Sequence, residues 1–159
     1  MRYRLVAAML TAVVGAAQLA AQTSETTPIT VSPCDDFRSN ARALAEPWED
    51  FTATFSNGAV RIALIDTIEP AGAPYHLLVL SPPYDEVGGR MCQVLSRQDS
   101  FGWSFVAFET LYTEYDPATG LYVQFEALEL PEVATVPLMI SFTLNQATGA
   151  ITGQTEPVF

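Results

Sequence analysis

The sequence predicts an α+β, mainly β fold: about eight antiparallel strands forming a curved sheet, sandwich or small barrel, with one N-terminal helix packed on it. Three observations carry this reading. After Pro47 the apolar residues alternate with a period of two, turn-forming clusters punctuate the runs, and a single stretch has helical spacing. Hairpins dominate the connections, so the pairing is expected to be antiparallel.

The chain opens on Arg2 and Arg4, followed by an uncharged apolar run from Leu5 to Ala17, the two-part pattern of a secretory signal. Small residues at Ala16, Ala17, Ala20 and Ala21 precede the polar Gln22-Thr23-Ser24-Glu25, so residues 1–21 read as a signal peptide cut after Ala21 or Ala17. An apolar helix of about 13 residues spans about 20 Å, short of the roughly 30 Å hydrocarbon core, so no stable membrane anchor is expected after cleavage. Residues 22–31, polar and Thr-rich, read as a flexible leader, and 32–159 as one β-rich domain.

The helix is expected from Ser32 to Ala45. Ser32 suits its cap and Pro33 its first position, and Asp35 and Asp36 place negative charge in its first turn. Cys34, Phe37, Ala41 and Leu44 share one face, leaving Arg38, Asn40 and Arg42 to solvent. Strands follow. Phe51–Phe55 alternates, Asn57-Gly58 makes a tight hairpin, and Val60–Ile68, apolar on both faces, reads as central. Further strands are expected at Tyr75–Leu80, Met91–Ser96, Phe101–Tyr115 (one bent strand or two), Leu121–Leu130, Leu138–Leu144 and Ala150–Thr155. Asp116-Pro117-Ala118-Thr119-Gly120 and Asn145-Gln146-Ala147-Thr148-Gly149 have matching turn chemistry: an Asx side chain to accept backbone N–H groups and a glycine for the left-handed residue.

Eighteen acidic residues face seven basic ones, a net charge of −11. Signal cleavage would remove Arg2 and Arg4 and bring it to −13, a balance that disfavours nucleic acid and anionic membranes and favours a cationic protein or peptide. There is no Lys, and no cation follows Arg97. Cys34 and Cys92 form one pair, expected as a disulfide in a periplasmic or secreted protein. Closing a loop of about 60 residues would contribute roughly 4 kcal/mol in the chain-entropy view.

No motif names a reaction. His76, the single histidine, excludes any multi-histidine site and reads as a semi-buried imidazole on the strand face shared with Leu78 and Leu80. There is no Gly-x-Ser-x-Gly elbow, no EF-hand loop and no Cys-x-x-Cys, and no metal or cofactor is expected. Two candidate binding groups stand out. One is the stretch Ser81–Arg90, read as a loop with stiff prolines at its entrance and glycines at its exit, presenting Tyr84, Asp85, Glu86 and Arg90. The other is the outward face of the Tyr112–Glu126 hairpin, where alternation sends Tyr112, Glu114, Tyr122, Gln124 and Glu126 to solvent. Phe101, Trp103 and Phe105 on one strand face, with Val106 and Phe108 on the other, read as core or as the lining of a cavity. The sequence therefore points to a non-enzymatic acidic binding module for a cationic protein, peptide or small ligand. The alternative is a carrier holding an apolar molecule in an internal pocket, and the third reading is an uncharacterised hydrolase.

Overall fold

The computed structural model describes residues 25–68, 72–129 and 135–158; the expected signal segment and the first residues of the expected leader lie outside them. Ten strands form two antiparallel five-stranded sheets. In chain order they are β1 (Thr27–Pro28), β2 (Thr30–Pro33), β3 (Thr52–Phe55), β4 (Val60–Asp66), β5 (Tyr75–Tyr84), β6 (Arg90–Ser96), β7 (Phe105–Asp116), β8 (Gly120–Glu129), β9 (Val136–Leu144) and β10 (Ile151–Pro157). The first sheet runs β1-β10-β9-β8-β7 and the second β2-β6-β5-β4-β3. Each is a four-strand meander with one short N-terminal strand added to its last member.

The two strands beyond the expected eight come from the stretch expected to be a leader and from the start of the expected helix. Thr27 pairs with Thr155, and Thr30 and Val31 pair with Ser96 and Leu95. Between them Ile29 is buried, and its N–H donates to the Gly153 carbonyl. The chain thus passes from one sheet to the other at a single residue. β-Branched Thr and Val suit a pleated edge position, and the free edges of β10 and β6 supply the backbone partners that a polar segment lacks on its own.

The helix is also corrected. Ser32 and Pro33 end β2, and the following segment makes two one-turn 3-10 helices, Phe37–Ser39 and Ala41–Ala43. The capping chemistry is real: Asp36 accepts from the Arg38 N–H and Asn40 from the Arg42 N–H. Each cap starts only one turn, because the residues this strap buries are Arg38, Ala43 and Ala45, whereas Phe37 is 62% exposed.

The core lies between the sheets. Val60, Ile62, Leu64, Leu77, Val79 and Leu95 of the second sheet meet Val106, Phe108, Val123, Phe125, Ile140 and Phe142 of the first. Phe108 packs on Phe125 with ring centroids 5.2 Å apart, and Phe51, just before β3, meets Phe108 at 6.3 Å. β4 sits inside its sheet and is buried on both faces, as its sequence predicts. The segment joining β6 to β7 seals one end. Trp103 is fully buried, bridges to Tyr75, and donates its indole N–H to Thr155 Oγ1 at 3.3 Å, while Phe101 and Phe105 are exposed rather than core. At the hairpin ends Gly120 and Gly149 both adopt positive φ, and Asp116 and Asn145 accept the turn N–H groups as expected.

Candidate functional site

The outer faces of the two sheets differ. That of the second sheet, with Ala63, Ile65, His76, Val94 and Ser96 all buried, lies under the strap 34–45. The Cys34–Cys92 disulfide fixes the strap at one end, and the Ala45 N–H donates to the Leu64 carbonyl at the other. Between these points Arg38 is buried and fully engaged. Its Nε and Nη2 donate to Asp36, its Nη2 to Ser32 Oγ at 3.1 Å, and its Nη1 to Ser96 Oγ at 2.9 Å. Ser96 Oγ is in turn 2.9 Å from His76 Nδ1. Because arginine can only donate, the arrangement that uses every group has Ser96 donating to Nδ1, with the imidazole proton on Nε2. Burial, and then the nearby Arg38, hold the His76 pKa down to about 4, and the hydrogen bond from Arg38 lowers that of Asp36. Serine, histidine and aspartate meet here, but Ser96 is 0% and His76 2% exposed, so neither can reach a substrate in this conformation. The cluster locks the strap.

Among the described residues nothing covers the outer face of the first sheet. Register places Tyr112 opposite Gln124 and Glu114 opposite Tyr122. The Tyr112 and Tyr122 rings meet edge to face at 6.5 Å, and the Tyr122 hydroxyl donates to Gln124 Oε1 at 2.7 Å. Ser141, Thr143, Thr152 and Gln154 continue this face across β9 and β10. Four of the five hairpin side chains therefore form one block. Glu126 is the next outward position along β8 after Gln124 but lies opposite Ala107 and Met139, because β7 bulges: between Ala107 and Tyr112 it takes more residues than β8 does between Glu126 and Gln124. Thr110 closes the bulge, donating to the Ala107 carbonyl and accepting from the Glu126 N–H. Beyond it Glu126 borders an apolar groove of about 360 Å³ formed by Phe105, Leu128, Pro137, Met139 and Val158.

The second candidate group lies on the other sheet. β5 continues through Pro82 and Pro83 to Tyr84, which pairs with Arg90, so the connection is the short turn Asp85–Gly89 rather than the long loop expected. The prolines are tolerated because the pairing of β5 with β4 ends at Leu80 and a register shift follows Ser81. Asp85 spends its carboxylate on the N–H groups of Val87 and Gly89, while Tyr84, Glu86 and Arg90 are exposed.

A further groove, of about 540 Å³, went unread in the sequence. It lies where the β3–β4 turn faces the end of β7 and is lined by Phe55, Ser56, Asn57, Thr113, Glu114, Tyr115 and Gln146. Ser56 and Asn57 both take left-handed φ there, and Ser56 Oγ donates to Gln146 Oε1 at 3.0 Å. Only the Asn57-Gly58 turn signal hinted at it; the rest of the lining converges from distant strands.

Charge follows the division between the sheets. Arg38, Arg42, Arg61, Arg90 and Arg97 all belong to the second sheet or its connections, and no cation lies anywhere in β7 to β10. Arg97 is ion-paired with Glu129 at 2.5 Å. Among the described residues no group of histidine, cysteine and carboxylate side chains could hold a metal ion, and no helix is long and apolar enough to cross a membrane. No protein-family model, no curated protein and no solved structure matches the chain.

Proposed function

We propose that the protein is an exported, non-enzymatic binding module of the cell envelope that takes a cationic protein, peptide or small ligand on the open outer face of its first sheet. The supporting observation is the coincidence of that uncovered face with a sheet free of basic residues. Tyr112 and Tyr122 offer rigid contact area there, and Glu114 and Glu126 offer charge. The disulfide is compatible with a location outside the reducing cytoplasm. Titration with an arginine-rich peptide at low and at high salt tests the reading. Expected are binding that weakens with salt and a loss of about tenfold or more in the Glu114→Lys, Glu126→Lys double variant. Equal affinity of the variant and the native protein would overturn it.

The groove bordered by Phe105, Leu128, Pro137, Met139 and Val158 favours a second reading, a carrier of an apolar small molecule, held on the surface rather than inside. Native mass spectrometry of detergent-free protein should then show a co-purified ligand that Met139→Glu releases. Protein purified from its host without any such adduct would count against it.

A further inference from the structure

β7 is the last strand of its sheet and, at twelve residues, the longest of the described strands. Its outer edge has no strand beside it among the described residues. Past the bulge, Tyr112 to Asp116 form an unbroken run paired to β8 on one side only. Such an edge presents backbone N–H and C=O groups in the spacing that an extended chain can meet. The neighbouring edge of the second sheet, β3, is only four residues long and does not cap it; its Phe55 and the turn residues Ser56 and Asn57 instead form the far wall of the 540 Å³ groove along Thr113, Glu114 and Tyr115. An edge for main-chain pairing thus lies beside a cleft for alternate side chains.

We propose that the edge of β7 over Tyr112–Asp116 takes an extended cationic peptide as an added strand, with alternate side chains entering the groove between Tyr115 and Phe55. Charge selects the occupant. The run carries Glu114 and Asp116, and Glu109 lies in the bulge before it, so a second copy pairing here in antiparallel fashion would set carboxylates against carboxylates. A strand bearing arginine or lysine meets those acids favourably. A cation entering the groove also finds Glu114 and the Tyr115 ring, which is 61% exposed.

This inference rests on the cationic-partner reading and names the mode of capture. The probe is a ten-residue peptide alternating arginine with threonine and valine, compared with the same peptide N-methylated at every second backbone nitrogen, in both phases. Expected is a loss of about tenfold or more in one phase of methylation, slowed amide exchange of the Tyr112–Asp116 run on binding, and weaker binding in Tyr115→Ala. Salt-sensitive binding that ignores methylation in both phases and leaves those amides unchanged would overturn edge pairing while leaving the outer-face reading standing. No binding of either peptide at low salt would remove both. Dimerisation of the free protein through β7 would show that a second copy is the occupant and overturn the charge assignment.

Discussion

The two sheets have similar strand counts and connectivity but opposite outer surfaces. The second is apolar outside as well as inside and needs the strap, which a disulfide and a buried arginine hold in place. The first turns apolar side chains inward and, away from the groove at Phe105, Leu128, Pro137 and Met139, polar ones outward. Stability is therefore concentrated on one outer face and availability for binding on the other.

The largest expected effect comes from detaching the strap. The Cys34→Ala, Cys92→Ala double variant should lose about 2–5 kcal/mol in denaturant unfolding and bind a hydrophobic dye on the uncovered Ala63, Ile65 and Val94. An unchanged midpoint would mean that the cover holds without its bridge. Acid probes the same face. His76 titrates near 4 in the fold against 6.5 ordinarily, so between those values the unfolded chain takes up a proton that the folded one refuses. Stability from this group is complete above pH 6.5 and declines as pH falls toward 4, by about 3 kcal/mol in all. In His76→Gln that slope should vanish. Arg38→Met should cost about 2 kcal/mol by leaving Ser32 and Ser96 without the guanidinium and Asp36 with only the backbone N–H of residue 38. On the open face the effects should be smallest: Thr143→Ser or Gln154→Ala should stay within about 0.5 kcal/mol. A thermal scan showing larger losses there would mean that the face is covered after all.

Much of the strand pattern was legible because β-periodicity and turn chemistry are local. Asp116 to Gly120 and Asn145 to Gly149 close the turns their residues predict, and β4 is central because both of its faces are apolar. Three features were not legible. Thr27–Pro33 has no amphipathic signal of its own and is ordered by edges that come from residues far along the chain. The spacing of Cys34, Phe37, Ala41 and Leu44 imitates a helix, yet the buried cation Arg38, which pattern reading sends to solvent, decides how the strap lies. The bulge in β7 depends on the Thr110 hydroxyl, and nothing in the alternation of β7 announces it. The candidate residues divide for the same reason. Tyr112, Glu114, Tyr122 and Gln124 are joined by regular pairing and Glu126 follows them along β8, whereas the bulge changes the β7 residue opposite it and the Tyr115 groove is assembled across sheets.

The passage of the chain through Ile29 ties the two layers together along one flank. One flank is stitched by the backbone itself, while the opposite flank, where β3 and β7 lie, is held by side chains such as Phe51 on Phe108. Any breathing of the two layers should be largest on that flank beyond the start of β7, where the Trp103–Tyr75 backbone bridge no longer ties the sheets. The cleft beside Tyr115 lies on that flank and is crossed by the Ser56–Gln146 hydrogen bond, a contact that a guest entering there would have to displace.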